Sequence, residues 1–90
     1  MLKQLMEYNL FMDKRGENEI KKILKKDGFE NHGGTEFPYH KENIQLRYNL
    51  DGTKICIGGE DIEIKQLKKL ADIFDAIEVR TKHNAPISLE

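Results

Sequence analysis

Three histidines and one cysteine are the side chains best suited to metal binding or nucleophilic chemistry in this 90-residue chain: His32, His40, His83 and Cys56. No two of them stand at a spacing typical of a zinc site, and a structural zinc ion normally takes four ligands. A reactive thiol would need a base and an orienting group beside it, and the sequence does not place His40 next to Cys56. We therefore expect no catalytic residue, no metal and no cofactor, and we interpret the histidines as surface or half-buried side chains.

Two short motifs have the composition of ligand-binding loops. Residues 60–63 place three acids beside two glycines, yet they lack the spacing of a calcium loop. We predict instead that Glu60 or Asp61 caps the following helix. The Gly33-Gly34-Thr35 loop could offer backbone N–H groups to a phosphate, but phosphate loops lead directly into a helix, whereas the segment after Thr35 reads as extended.

Positive charge is concentrated on one predicted helix, residues 17–27. Its lysines lie opposite an apolar stripe and are Lys21, Lys22, Lys25 and Lys26. Such a face is most often simply solvated, and the alternative is a helix that contacts phosphate groups. The companion of such a helix would be an aromatic cluster able to stack on bases or to fill a partner's pocket. The members of that cluster are Phe37, Tyr39 and His40.

Size and composition indicate one globular domain. Domains run from roughly 50 to 250 residues, and an apolar fraction of 38% with a net charge of −1 is typical of folded rather than disordered chains. The balance of 15 basic against 16 acidic residues argues against a dedicated nucleic-acid binder, which usually has a basic excess. We predict a single domain over residues 1–80 and a flexible tail over residues 81–90, whose last two residues resemble an expression-vector scar.

The cellular compartment is inferred by elimination. A single cysteine excludes an intramolecular disulfide and favours a reducing compartment. No apolar run approaches the roughly 18 residues that a membrane span needs, and residues 1–5 do not resemble a secretory signal. We therefore expect a cytoplasmic protein without a membrane partner. Twelve of the 15 basic residues are lysines, a bias that points to an AT-rich bacterial or phage genome.

The strongest structural pattern is a β-hairpin at residues 44–57. Its apolar side chains alternate with polar ones and are Ile44, Leu46, Tyr48 and Leu50. Asp51-Gly52 is a preferred dipeptide of two-residue type I′ turns. With that turn Leu46 lies opposite Ile57 on one face. Arg47 lies opposite Cys56 on the other face.

Two helices should pack on the apolar face of this hairpin. The first spans about residues 17–27, and the second spans about residues 62–78, after Gly58-Gly59 has ended the second strand. Residues 2–12 suit either a helix or a strand, and we expect residues 1–12 either to pack on the core or to mediate a homodimer. The predicted fold class is α+β, a small antiparallel sheet built on the hairpin and packed against two helices in an αβββα-like order.

That order of elements, over about residues 17–77, resembles the double-stranded-RNA-binding domain. Pro38-Tyr39-His40 is similar to the Pro-x-His loop motif of that family, and Gly52 falls where its hairpin turn usually has glycine. Lys68-Lys69 is similar in type to the lysine pair that opens the family's second helix, although it arrives several residues later. The resemblance implies an RNA-binding domain.

HicA-type toxins share this fold, and residues 23–30 resemble their helix-to-strand junction. The catalytic histidine of those toxins follows a Gly-Ser pair, whereas here the two glycines precede Thr35 and follow His32. This second resemblance implies a ribonuclease in which His32 or His40 acts as general base or acid.

Three hypotheses for function follow from these patterns. Small size, balanced charge and the lack of a catalytic constellation favour a non-enzymatic accessory protein of phage or mobile-element origin that binds a protein partner, with an apolar patch around Phe37 and Tyr39 as the contact. The alternative is RNA binding through the lysines and the His40 loop, with an affinity that falls steeply with salt. The HicA-like ribonuclease is the third hypothesis.

Overall fold

Six strands and two helices make up residues 4–89, the part of the chain that the computed structural model describes. In chain order they are β1 (Leu5–Phe11), α1 (Glu17–Lys26), β2 (Glu30–Asn31), β3 (Tyr39–Lys41), β4 (Ile44–Tyr48), β5 (Lys54–Glu60), α2 (Ile64–Ile73) and β6 (Glu78–Thr81). The strands form one antiparallel sheet in the order β2-β3-β4-β5-β1-β6. The predicted α+β class is confirmed. The order differs from αβββα, because four strands instead of three lie between the two helices, and β1 and β6 lie before and after them.

The hydrophobic core lies between one face of the sheet and the two helices. Strand residues at alternate positions point into it, which is the period expected of a half-buried sheet. The fully buried side chains come from both layers and include Leu10, Leu46, Ile55, Ile20, Leu24, Leu67 and Phe74. We call the opposite, helix-free side of the sheet the open face.

The register of the β4–β5 hairpin is confirmed. Leu46 pairs with Ile57, and Arg47 pairs with Cys56. The predicted end of the second strand at Gly58-Gly59 is wrong, because β5 continues to Glu60 with a partner strand on both sides. The ring of Phe37 lies against Gly58 on the open face.

The predicted two-residue turn at Asp51-Gly52 is also wrong. The Asn49 N–H donates to the Lys54 carbonyl over 3.0 Å, and the Gly52 N–H donates to the Asn49 carbonyl over 3.2 Å. The loop between the bonded residues Asn49 and Lys54 therefore contains four residues, 50–53. Of the two residues that a type I′ turn would require at positive φ, only Gly52 has it, at 72°. Leu50 consequently lies outside the alternation, fully exposed at the tip.

The N-terminal segment, ambiguous between helix and strand, forms strand β1. It pairs with β5 along its whole length and with β6 from Tyr8 to Phe11. Tyr8, Leu10 and Met12 are buried, so the expectation that this segment packs on the core is confirmed for the described residues. The first three residues of the segment considered for a homodimer lie outside the described part of the chain.

Helix α2 is shorter than the predicted span of residues 62–78. Its N-cap is Glu63 rather than Glu60 or Asp61, and the Asp61 carboxylate instead accepts a hydrogen bond from the Gln4 N–H at 3.1 Å. After Ile73 the chain reverses at Asp75, whose φ is 50°. The Ile77 N–H then donates to the Phe11 carbonyl at 2.8 Å, and this bond starts β6 beside β1.

The segment after Arg80, which we expected to be a flexible tail, folds back along β6. Thr81 is the last residue of that strand, and Arg80 forms an isolated bridge with Pro86. The Ile87 N–H donates to the Val79 carbonyl at 3.0 Å, and the side chains of Ile87 and Leu89 pack partly against the core. These residues cover the outer edge of β6, whereas Glu90 lies outside the described residues.

Candidate functional site

The four lysines singled out on the first helix all lie on the solvent side of α1. Ile20 and Leu24 on the same helix are fully buried against the sheet, so the amphipathic pattern points the lysines away from the core. All four lysine side chains are exposed: Lys21, Lys22, Lys25 and Lys26.

Helix α2 lies beside α1 in the opposite direction and adds three exposed lysines. The Arg15 guanidinium, just before α1, donates to the carbonyl of Phe74, just after α2, at 3.1 Å. The carboxylate of Asp27, just after α1, lies 3.3 Å from Lys69 Nζ in α2. Lys65 and Lys68 also belong to α2 and are exposed.

The two helices together hold seven lysines and three acids, in a chain whose net charge is −1. We call these seven residues the lysine surface: Lys21, Lys22, Lys25, Lys26, Lys65, Lys68 and Lys69. The three acids, Glu17, Glu19 and Asp72, lie in the first turn of α1 and near the end of α2.

Some of these lysines are already paired with acids. Lys69 lies 3.3 Å from Asp27, and the hydrogen bond that Lys69 donates to the Asp27 carboxylate raises the pKa of Lys69. Lys21 pairs with Glu17 at 3.6 Å, and Lys65 pairs with Glu63 at 3.7 Å. Exposed pairs of this kind contribute little to stability. The other four members, Lys22, Lys25, Lys26 and Lys68, have no ion pair within residues 4–89.

The predicted aromatic cluster does not join the lysine surface, because its members are divided between the two faces of the sheet. Tyr39 points toward the helices and is 6% exposed, with its ring 5.8 Å from the ring of Tyr48. Burial is the largest cause that raises the pKa of Tyr48, and a hydrogen bond with Tyr39 adds to it. Tyr39 is therefore a core residue and is not available to stack on a base.

Phe37 and His40 lie on the open face, on the other side of the sheet from the lysines. The Arg47 guanidinium lies 5.0 Å from the centre of the Phe37 ring and pairs with Glu36 at 2.7 Å. The hydrogen bond to Glu36 is the largest cause that raises the pKa of Arg47. These contacts hold the loop of residues 32–38 across the open face, so Phe37 has a packing role there.

The two histidines considered for catalysis are neighbours. The rings of His32 and His40 stack with their centres 4.4 Å apart, and His40 Nε2 lies 2.7 Å from the carbonyl oxygen of Phe37. That contact occupies one of the two nitrogens through which His40 could act as acid or base. Among the described residues no group of three or more His, Cys, Asp or Glu side chains could hold a metal ion.

Sequence reasoning missed two features of the surface. Lys65 was not considered, although its position opposite the Leu67 and Leu70 stripe was readable from the helical period. The alternation that includes Leu50 puts it on the apolar face of the hairpin, whereas Leu50 is exposed. Its exposure follows from the four-residue loop, which no local pattern indicates. Within residues 4–89 no helix is long and apolar enough to cross a membrane.

The comparisons with known proteins add no relative to this description. No family model, no curated protein and no solved structure matches the chain.

Proposed function

We propose that this protein is a non-enzymatic binding module that holds the phosphate backbone of RNA on its lysine surface. The observation that supports the proposal is the excess of seven lysines over three acids on two adjacent helices, with four of those lysines unpaired in residues 4–89. The balanced total charge argues against nucleic-acid binding unless positive charge is concentrated in one place. The lysine surface is such a local excess of positive charge.

The physical basis is phosphate neutralisation. A lysine that contacts a phosphate releases a condensed counterion, so the logarithm of the binding constant falls with the logarithm of salt concentration by about 0.9 for each phosphate contact. Lysine acts as a point charge on a flexible stem, and the interaction carries no sequence information. The resemblance to the double-stranded-RNA-binding domain is the reason to choose an RNA duplex as the first ligand.

The test compares wild-type protein with a variant in which Lys22, Lys25 and Lys26 are changed to Gln. Binding to a fluorescent RNA duplex of about 16 base pairs, the span of one RNA-binding domain of that type, is measured by anisotropy between 50 and 300 mM NaCl. We expect the variant to bind about tenfold or more weakly at low salt, and its salt slope to be smaller by about 3.

The matched control changes Lys14, Lys54 and Lys82 to Gln, which removes the same charge at positions outside the two helices. We expect this control to keep most of the affinity. Equal losses in both variants, or a wild-type affinity that does not change with salt, would contradict the proposal. Intact RNA after prolonged incubation is the result expected of a binding module, and cleavage abolished by a double His32→Ala, His40→Ala change would instead favour the ribonuclease hypothesis.

A protein partner is the second candidate function, and a different part of the molecule favours it. In the patch first considered, the side chains of Phe37 and Tyr39 pack against other residues of this protein. Leu50, at the tip of the β4–β5 hairpin, is instead fully exposed. A cytoplasmic location remains a prediction.

A further inference from the structure

Asp27 is an acid at the carboxyl end of α1, beside a surface that is otherwise rich in lysine. It is the C-cap residue of that helix, where the helix dipole favours cations and disfavours acids. Its side chain is only 11% exposed. Burial of a carboxylate is costly unless the charge is paired, so Asp27 needs partners from other elements of the fold.

Two ammonium groups are those partners. Lys41 Nζ, from β3, lies 3.4 Å from one carboxylate oxygen of Asp27, and Lys69 Nζ, from α2, lies 3.3 Å from the other. The Lys41 side chain is 24% exposed, and its ammonium group lies 5.7 Å from the centre of the Phe29 ring. The Lys69 side chain is 61% exposed. Asp27 thus joins α1 to β3 and α2, and Lys69 is the partner that is open to solvent.

The other two ion-paired members of the lysine surface have partners that are themselves exposed. Lys21 pairs with Glu17 at 3.6 Å, and Lys65 pairs with Glu63 at 3.7 Å. Both of these acids are exposed, and exposed pairs hold two long side chains in place only weakly. The carboxylate beside Lys69 is instead mostly buried and bound on two sides. Lys69 is therefore the paired lysine of this surface with the most fixed ammonium group.

We propose that Asp27 is a positioning residue that holds Lys69 in place for a phosphate group of the RNA backbone. This inference rests on the proposed function and deepens it. A lysine ammonium group has more than one N–H donor, so Lys69 can bind Asp27 and a phosphate together. A lysine that is already ordered loses less side-chain freedom on binding than a free lysine does. The unpaired lysines add charge, and Lys69 fixes where one phosphate lies.

Electrostatics alone predicts the opposite effect of this acid. A negative charge beside the lysine surface should weaken phosphate binding, and its removal should strengthen binding. Asp72 is the matched reference, because it is an exposed acid of α2 with no ion pair in residues 4–89. A difference between the removal of Asp27 and the removal of Asp72 therefore separates the effect of position from the effect of charge.

The experiment measures binding of the RNA duplex by Asp27→Asn, Asp27→Glu and Asp72→Asn at about 150 mM NaCl, where distant charges are largely screened. Circular dichroism first establishes a temperature at which every variant is folded. We expect Asp27→Asn to bind at least about threefold more weakly than Asp72→Asn, although both lose one negative charge. Asp27→Glu, which keeps the carboxylate, should bind more tightly than Asp27→Asn. The Asp27→Asn change is also made together with Lys69→Gln, where it should cause no further loss, because it acts through Lys69.

A second measurement needs no RNA. Titration of the Lys69 ammonium group by NMR in the free protein should show a lower pKa in Asp27→Asn than in wild type, since the hydrogen bond to Asp27 raises it. Three results would overturn the inference and leave the proposed function standing. They are an unchanged pKa of Lys69, an Asp27→Asn variant that binds RNA as tightly as Asp72→Asn, and an equal loss from Asp27→Asn with and without Lys69→Gln. Wild-type protein that binds no RNA would overturn both.

Discussion

At the scale of single residues, Gly52 allows the hairpin tip to lie in close contact with the backbone of Arg15. Its φ of 72° lies in the left-handed region, and a Cβ atom built there would collide with the carbonyl oxygen of Arg15. Gly34 has a similar φ of 61°, yet a Cβ atom there would meet nothing within 4 Å. Substitution of the two glycines therefore distinguishes the energetic cost of a positive φ from the cost of a steric collision.

We predict that Gly52→Ala destabilises the protein by about 2 kcal/mol or more, and that Gly34→Ala costs about 1 kcal/mol, because only the first change adds a collision to the strain of a positive φ. Urea unfolding followed by circular dichroism measures both free energies. Equal effects of the two changes would mean that the contact between Gly52 and Arg15 is absent in solution.

At the scale of secondary-structure elements, the start of α2 is joined to the β3–β4 turn by two amide side chains. Gln66 Nε2 donates to Asn43 Oδ1 at 2.8 Å, and Asn43 Nδ2 donates to the Glu60 carbonyl at the same distance. The Gln66 Oε1 atom also accepts the Glu63 N–H at 3.0 Å, one of the N–H groups left unpaired at a helix start. These two amides thus satisfy an N–H group at the start of α2 and also hold that end of the helix against the sheet.

We predict that Asn43→Ala and Gln66→Ala each lower the free energy of unfolding by about 1 kcal/mol. The double change should cost less than the sum by about 0.5 kcal/mol or more, since each single change already removes the shared bond. Gln45→Ala, on the open face, is the matched amide control and should have a smaller effect. Additive losses in chemical denaturation would show that the two amides do not interact.

At the scale of the whole molecule, β1 is the element on which the sheet depends. It lies between β5 and β6 and buries Tyr8, Leu10 and Met12, so its loss would open the sheet and expose the core.

We predict that deletion of residues 1–12 abolishes cooperative unfolding, because the remaining β6 would have no strand to pair with and the core would lose the buried side chains of Tyr8, Leu10 and Met12. Circular dichroism melts together with sedimentation measure this outcome. Leu5→Ser, which changes an exposed side chain of the same strand, should melt as the wild type does. A truncated protein with an unchanged melting point and mass would contradict the position of β1 in the fold.

Local patterns in the sequence determined three features of this protein: the register of the β4–β5 hairpin, the position of α1 and the α+β class. Each of these depends on side chains that are close along the chain, where a period of two or of 3.6 residues can be read directly. The lysines of α1 were placed on the solvent side for the same reason. Local patterns did not predict where α2 ends or that β5 continues through Gly58-Gly59, since both depend on distant strands.

Only the tertiary structure decided the rest. The pattern of residues 2–12 suits a helix and a strand equally. Leu5–Phe11 is a strand because it pairs with β5, whose residues are about fifty positions away in the chain. Phe37, Tyr39 and His40 are close in sequence, yet alternation along β3 and the fold of the 32–38 loop send Tyr39 into the core and the other two to the open face. The exposure of Leu50 likewise depends on a four-residue loop that replaces the predicted two-residue turn. Hydrogen bonds of Asn49 and Arg15 hold this loop. Pairing between distant segments, and not propensity, determined these positions because a strand is stabilised by its neighbours in space.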